Sequence, residues 1–376
     1  MSRVFACLLA LAVTIATHAQ QAEPPALGSL LVEGSQALQR GDNAAAEAAF
    51  RHALSLEPQS VEILNDLAIS LARQGKENEA IACYKRALKI KPQDPITSRN
   101  LGIDYFRGHL YKEALPLLKS FAQSHPDFQS LELTGLTYFA LDSYAEAAPY
   151  LDRASKLQPR NLQALHILSK AYWRAKDYKN VANVFARIMA IAPHSPEAHV
   201  MMGRVYDKMS RERDALAEFK AAEKADPTFM GVHSAIGILY WKEDKAEMAA
   251  EEFRAELEHY PNDPTSNCLL GEILLKQNKT VEAAPYLRAA VSANPNYQEA
   301  LFQLGKCELK LSRPKEAVAL LRKAIRIDPN SFQAHFVLGT ALRKLGQAAE
   351  AAREQKLAEQ IQARKRAHLI RQVSRP

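Results

Sequence analysis

The stretch VEILNDLAISLARQGKENEAIACYKRALKIKPQD, residues 61–94, is one copy of a 34-residue unit that recurs along the 376-residue chain. The recurrence is marked by a series of prolines near the end of successive units, at Pro58, Pro92, Pro126, Pro159, Pro193, Pro227, Pro261, Pro295 and Pro329. The intervals are 34 residues, apart from one of 33 between Pro126 and Pro159. A fixed period of this length is typical of a tandem-repeat protein, in which each unit is one supersecondary structure.

Small and apolar residues occupy fixed positions within the unit. When Val61 is counted as position 1, such residues stand at positions 4, 7, 8 and 11, and again at 20, 24 and 27. The first set lies on one face of a helix, and the second set lies on one face of another. We therefore expect a helix pair in each unit, with small residues at positions 8 and 20 bringing the two backbones close together. One pair cannot bury its apolar face alone, so its stability must come from stacking on neighbouring pairs.

At these positions the sequence resembles the tetratricopeptide repeat (TPR) family. Position 8 is glycine in eight of ten repeats, with Ala68 and Ser169 as the exceptions, and position 20 is alanine in nine, with Val181 as the exception. The repeats start near residues 27, 61, 95, 128, 162, 196, 230, 264, 298 and 332, and the solenoid is expected to span 27–363. The resemblance implies an all-α fold, a right-handed α-solenoid in which antiparallel helix pairs form a superhelix.

The two ends of the chain differ from the repeats. Residues 1–19, MSRVFACLLALAVTIATHA, carry one cation, then an apolar run, then small residues at Thr17 and Ala19. This pattern predicts a cleaved export signal, followed by a disordered leader over residues 20–26. The protein is then expected in the periplasm of a Gram-negative-type cell, or otherwise secreted, without stable membrane insertion. The alternative is an uncleaved amino-terminal anchor. Residues 364–376 form a basic tail, which is typical of a solvated helix end.

The sequence contains none of the motifs that mark common catalytic sites. It has no phosphate-binding glycine loop, no nucleophile elbow and no HExxH zinc motif. Removal of the signal leaves Cys83, Cys268 and Cys307, without the CxxC spacing of metal or haem sites. We expect Cys83 and Cys307 to be packed small residues, and Cys268, at position 5, to be an exposed thiol. The sequence therefore predicts no enzyme, no metal and no cofactor.

The TPR resemblance places positions 2, 5, 9, 12 and 13 of each first helix on the wall of a groove. Of these fifty positions, thirteen carry Lys or Arg and six carry Asp or Glu, which indicates a groove for an acidic protein or peptide ligand. The bias depends on position 13, where eight of the cations stand and where lysine is ordinary in the family. Without that position, five cations remain against six acids.

Aromatic residues beside cations narrow the predicted site. Both tryptophans of the chain, Trp173 and Trp241, occupy position 12. Exposed aromatic residues next to cations are common anchors of a peptide interface. The predicted peptide-binding groove consists of His166, Lys170, Trp173, Arg174, Arg204, Lys208, Trp241, Lys242, Arg99, Phe106, Arg107 and Phe139. The alternative is that the aromatic residues pack between adjacent helices.

These patterns favour a non-enzymatic adaptor or scaffold of the cell envelope that holds a protein or peptide segment in its groove. Export makes nucleic acid an unexpected partner. A second hypothesis is a structural spacer that uses its convex face or its ends in a multi-protein complex. A third is an accessory subunit of an enzyme complex. The sequence names no partner among these.

Overall fold

The computed structural model describes residues 26–373, with side chains described as far as residue 367. Within these limits the chain forms twenty α-helices in ten consecutive pairs and no β-strand, so the predicted all-α solenoid-type fold is confirmed. The predicted export signal and residues 20–25 of the leader lie outside the described residues. The pairs group into two compact units that divide between Gln158 and Pro159.

Each pair consists of a first helix (odd-numbered) and a second helix (even-numbered). In the first unit the bounds are α1 Leu27–Arg40, α2 Asn43–Leu56, α3 Val61–Arg73, α4 Glu77–Ile90, α5 Pro95–Arg107, α6 Tyr111–Ser124, α7 Phe128–Ala140 and α8 Tyr144–Leu157. In the second unit they are α9 Leu162–Arg174, α10 Tyr178–Ile191, α11 Pro196–Lys208, α12 Glu212–Ala225, α13 Val232–Lys242, α14 Ala246–His259, α15 Pro264–Lys276, α16 Thr280–Ala293, α17 Gln298–Lys310, α18 Pro314–Ile327, α19 Phe332–Lys344 and α20 Ala348–Val373.

The two helices of a pair are joined by a turn whose residue at position 15 has a positive φ angle. Glycine supplies this conformation at Gly41, Gly75 and Gly346. Non-glycine residues adopt it in the other seven pairs, at His109, Asp142, Lys176, Ser210, Asp244, Asn278 and Ser312. The next residue then donates its N–H to the carbonyl of position 11, as Lys76 does to Leu71 at 3.0 Å. This bond satisfies a carbonyl at the helix end, and the chain reverses there.

The closest approach within a pair lies between positions 8 and 24. A Cβ atom added at Gly237 would lie 2.7 Å from the ring of Phe253, and one added at Gly203 would lie 2.5 Å from the ring of Phe219. Glycine therefore allows the large side chain of the second helix to lie directly on the backbone of the first. Ala249, at position 20 of the same pair as Phe253, is also fully buried. A Cβ atom added at Gly135, at position 8 of the fourth repeat, would lie 3.3 Å from the carbonyl oxygen of Ala147 at position 20, so the predicted contact through small residues is confirmed in that pair.

Most first helices begin after a polar N-cap residue whose side chain accepts a hydrogen bond from the backbone N–H three residues later. These caps are Ser60, Asp94, Asp127, Asn161, Ser195, Asp263 and Ser331. The pair α13–α14 differs, because α13 begins only at Val232, after Gly231 with a φ of 85°. The carboxylate of Glu256, on α14, accepts from the N–H groups of Gly231 at 2.8 Å and Ser234 at 3.1 Å. A side chain of the second helix thus replaces the missing N-cap.

The prediction of an exposed thiol at Cys268 is wrong. This residue is fully buried, and it packs with Ala290 and Ala300 at the contact between consecutive pairs. Burial raises the pKa of its thiol to about 12, so it behaves as a small apolar side chain.

Among residues 26–373, no helix is both long enough and apolar enough to cross a lipid bilayer.

Candidate binding site

The aromatic residues at position 12 are half-buried, and three of them contact a tyrosine of their own repeat. Their ring centroids lie 5.4 Å apart for Phe106 and Tyr111, 5.0 Å for Phe139 and Tyr144, and 5.5 Å for Trp173 and Tyr178, all in edge-to-face geometry. Each tyrosine opens the second helix, so the contact braces the turn within one pair. The sequence alternative of packing between adjacent helices includes this contact, because each tyrosine belongs to the next helix along the chain.

The cations at position 13 extend towards the preceding pair. Lys242 forms an ion pair with Asp207 at 2.6 Å, and the ammonium group of Lys276 lies 4.0 Å from the ring centroid of Trp241. Two more of these cations donate to main-chain carbonyls: Arg73 to Leu38 at 3.0 Å and Lys310 to Leu275 at 3.4 Å. All four partners stand at position 12, so the same link joins consecutive first helices. These cations stabilise the stacking of pairs, which reduces the charge they leave for a ligand.

In the first unit, two of the predicted groove cations have neighbours of their own. Arg99 donates to the Oε1 atom of Gln129 at 2.6 Å and lies 5.4 Å from the ring centroid of Phe121. Arg107 is exposed, and its Nη1 atom lies 3.6 Å from Oδ1 of Asp104. Arg107 and Asp104 line a pocket of about 180 Å³ between α3 and α5.

Asp104 is the buried acid of this pocket. Its Oδ2 atom is buried and accepts no hydrogen bond from the residues that the structure describes. Burial raises the pKa of its carboxyl group to about 6, with a smaller opposing effect from Arg107 and a reinforcing one from Glu77. An uncharged carboxyl group is therefore favoured in the folded state at mildly acidic pH.

We expect Asp104→Asn to change the pH dependence of stability. Below the ordinary pKa of 3.8 the carboxyl group is protonated in both states, so burial costs little there. As the pH rises towards about 6, the unfolded chain releases the proton first, and folded stability declines. The stability of the variant relative to the wild type should therefore rise by on the order of 2 kcal/mol between pH 4 and pH 7. Urea denaturation at both pH values measures this, and a constant difference would contradict it.

In the second unit, the predicted groove residues of α9 and α11 are mostly exposed. Lys170, Arg174 and Lys208 present exposed side chains. His166 is half-buried, and its ring centroid lies 6.4 Å from that of Phe185 on α10. Among the predicted groove residues of the second unit, Arg204 lines a cavity.

This cavity has a volume of about 330 Å³ and lies between α11, α13 and α15. Its lining includes charged residues, Arg204, Asp207 and Asp263, and apolar residues, Met230, Ile238 and Leu239. Asp207 is paired with Lys242, and Asp263 accepts from the N–H of Ser266 at 2.6 Å as the N-cap of α15. Arg204 forms no ion pair with any residue that the structure describes. Its guanidinium group is therefore available to a carboxylate ligand.

The late start of α13 shapes this cavity. The side chain of Met230, just before the helix, is 63% exposed instead of being part of the first turn. A Cβ atom added at Gly231 would lie 3.6 Å from the Nη2 atom of Arg204, so glycine leaves the guanidinium uncovered. Sequence reasoning missed Met230, whereas Ile238 stands at position 9 of the predicted wall but was not among the predicted groove residues. The signal was present, because Phe229 stands where most repeats have a polar cap and a glycine follows two residues later.

Comparison with protein families identifies one family. A tetratricopeptide repeat profile matches residues 31–95, 99–161, 133–196, 200–264 and 268–332, and a second tetratricopeptide repeat profile matches residues 320–353. Together these matches cover most of the chain. No curated protein sequence matches it.

Several solved structures resemble the chain at low sequence identity. Naa15/Naa10 bound to HypK-THB has a TM-score of 0.53 at 15% identity, over 89% of this chain and 63% of that one. This chain thus spans less than two thirds of that protein. YrrB, a TPR protein with an unusual peptide-binding site, has a TM-score of 0.43 at 22% identity, over 48% of this chain and 94% of that one. PilF of Pseudomonas aeruginosa has a TM-score of 0.47 at 16% identity, over 52% and 89%. At 15% identity, the likeness to Naa15/Naa10 concerns the fold alone.

Proposed function

Since the chain belongs to the tetratricopeptide repeat family, we propose that it is a non-enzymatic adaptor that holds an extended protein segment between α11, α13 and α15. Its repeats make it a protein–protein interaction scaffold. The finer assignment depends on one observation, the unpaired guanidinium of Arg204 beside an apolar lining. The ligand that fits this cavity has a carboxylate next to an apolar side chain.

The charges around the cavity support this choice of ligand. Both lining acids are already engaged, Asp207 with Lys242 and Asp263 with the start of α15. An acidic ligand would therefore meet an unpaired cation, whereas a basic ligand would have to compete for acids that already have partners. Met230 and Ile238 supply the apolar contact that a neighbouring side chain can bury. Short peptides with an acidic residue beside an apolar one are thus the expected binders.

Arg204→Glu tests the proposal. The full chain is used to select binders from a random peptide library displayed on phage, and the enriched peptides are synthesised with a fluorescent label. We expect the variant to bind them about 10- to 100-fold more weakly by fluorescence anisotropy, because a charge-assisted hydrogen bond contributes about 1.5–3 kcal/mol. Lys220→Glu is the matched control, since Lys220 is an exposed cation on the second helix α12.

Three outcomes would contradict the assignment. One is equal binding by the Arg204 and Lys220 variants, which would remove the cavity from the interface. Another is a set of partner crosslinks confined to second helices, which would favour the spacer hypothesis. A selection that enriches basic peptides would reverse the proposed ligand chemistry.

We also propose that the protein acts in the cell envelope. The support is the sequence of residues 1–19, in which Arg3 precedes an apolar run that ends in small residues. A β-lactamase domain fused after Ala26 should confer ampicillin resistance in a Gram-negative host, because that enzyme protects cells only after export. A fusion that carries Leu8→Arg and Leu9→Arg should not. Resistance that is unaffected by these charges would contradict the proposal.

A further inference from the structure

Three repeats contain the same histidine–glutamate pair. A histidine at position 4 of the first helix contacts a glutamate at position 23 of the second, always nineteen residues later. The Nδ1–Oε2 distances are 2.7 Å for His199 and Glu218, 2.8 Å for His233 and Glu252, and 2.6 Å for His335 and Glu354. All three pairs lie in the second unit and are mostly buried. The surroundings of the three histidines can therefore be compared within one chain.

In two of these repeats the imidazole is fully engaged by the protein. The Nε2 atom of His199 bonds to the carbonyl of Pro193 at 3.2 Å, and that of His335 bonds to the carbonyl of Pro329 at 3.1 Å. Both ring nitrogens then have partners, and the histidine links the junction before its helix to the second helix. This is a structural role that leaves no nitrogen for a ligand.

The third repeat differs at this point. His233 makes no hydrogen bond to Pro227 within residues 26–367, because the late start of α13 alters the junction. A second carboxylate, Glu223 on α12, lies close to this pair. One ring nitrogen of His233 and one carboxylate oxygen from each of Glu223 and Glu252 all lie within 4.8 Å of one another. Glu223 forms no ion pair or hydrogen bond with any other residue that the structure describes.

We propose that Glu223, His233 and Glu252 form a binding site for a divalent transition-metal ion, with Zn²⁺ as the representative. One imidazole and two carboxylates are donors that Zn²⁺ accepts, and water completes the coordination. The three donors are half-buried and come from three consecutive helices, α12, α13 and α14. The buried carboxylate of Glu256, one turn after Glu252, adds negative charge nearby. A bound cation offsets the repulsion among these acids.

The bound ion would also stabilise the start of α13, which lacks the side-chain N-cap of most first helices. The ion would join the end of α12 to the first turn of α13 and to α14. Met230 and Gly231, which line the cavity with Arg204, lie between these donors in the chain. The metal site itself stands on the three donors, and it does not require that a peptide bind in the cavity.

Isothermal calorimetry with ZnCl₂ tests the site on the full chain after treatment with EDTA and dialysis. Glu223→Gln removes the one donor that the other two pairs lack and keeps the His233–Glu252 contact. We expect this variant to bind Zn²⁺ at least about tenfold more weakly, since even changes to the partners of metal ligands weaken binding 10–100-fold. Zn²⁺ should also raise the melting temperature of the wild type more than that of the variant, because it binds the folded state.

Glu218→Gln is the matched control, because it alters the equivalent His199–Glu218 pair, and the second helix before that pair has Met189 at the place of Glu223. Wild-type Zn²⁺ binding in this control, together with the loss in Glu223→Gln, supports the site. Equal Zn²⁺ affinity in the wild type and Glu223→Gln would overturn it. Absence of Zn²⁺ binding to the wild type would also overturn it.

Discussion

Phe253→Ala is expected to lower the free energy of unfolding by about 3–5 kcal/mol, which is typical of removing a fully buried phenylalanine ring. The ring has no exposed surface and lies directly on the backbone of Gly237. Its removal leaves a void between α13 and α14 that neither backbone can close, because the two helices are already held at their closest approach. The neighbouring pairs stack on the same core, so the loss should extend to their packing.

Phe336→Ala is the matched control, since the side chain of Phe336, also in the second unit, is 57% exposed. This variant should change stability by no more than about 0.5 kcal/mol. Urea denaturation of the full chain, followed by far-ultraviolet circular dichroism, gives both values under one set of conditions. Similar losses in the two variants would mean that aromatic content rather than the contact with Gly237 determines stability.

The fold could be predicted because each repeat obeys the same local rules. Glycine at position 8 and a large residue at position 24 are sixteen residues apart, and a helix pair brings them together whatever its neighbours are. Gly237 with Phe253 and Gly203 with Phe219 are examples. Polar caps before the first helices follow from sequence in the same way, because a cap acts within three residues.

The candidate site was harder to predict, because its charges are determined by contacts between repeats. Lys242 and Arg204 look equivalent in sequence, as two cations on the predicted wall. Lys242 has Asp207 at 2.6 Å, whereas Arg204 faces an open cavity. A period of 34 residues gives the position of a side chain on its helix but not the rotamer with which it reaches the next helix. The partners at position 12 could therefore be read only from the structure.

The seventh repeat shows a third case, in which the sequence departs from the pattern and the departure carries information. Glutamate replaces alanine at position 27, and Phe229 stands in place of a polar cap. Each change is unfavourable alone, since one buries a charge and the other leaves a helix start without an acceptor. The structure shows that they compensate, because Glu256 accepts the N–H groups that Phe229 cannot. When the missing polar cap at Phe229 and the unusual glutamate at position 27 are considered together, the sequence itself indicates that one compensates for the other.

Glu256→Ala should accordingly lower the free energy of unfolding by about 3 kcal/mol, because two N–H groups at the start of α13 lose a charged acceptor that contributes about 1.5–3 kcal/mol per bond. Steric strain does not contribute, since alanine stands at position 27 in seven other repeats, including Ala222 and Ala290. Glu256→Gln should show a smaller loss, because the amide oxygen can accept only one of the two N–H groups well.

The decisive measurement is hydrogen exchange at the amides of Gly231 and Ser234, compared with amides in the middle of α13. If Glu256 acts as the cap, these two amides should lose protection in Glu256→Ala beyond the loss of global stability. Glu251→Ala, which removes an exposed acid of α14, should leave them unchanged. A uniform loss along α13 would instead assign the effect to packing. The size of the local effect would also show how much of the cavity wall depends on this one carboxylate, because Gly231 and Ser234 both line it.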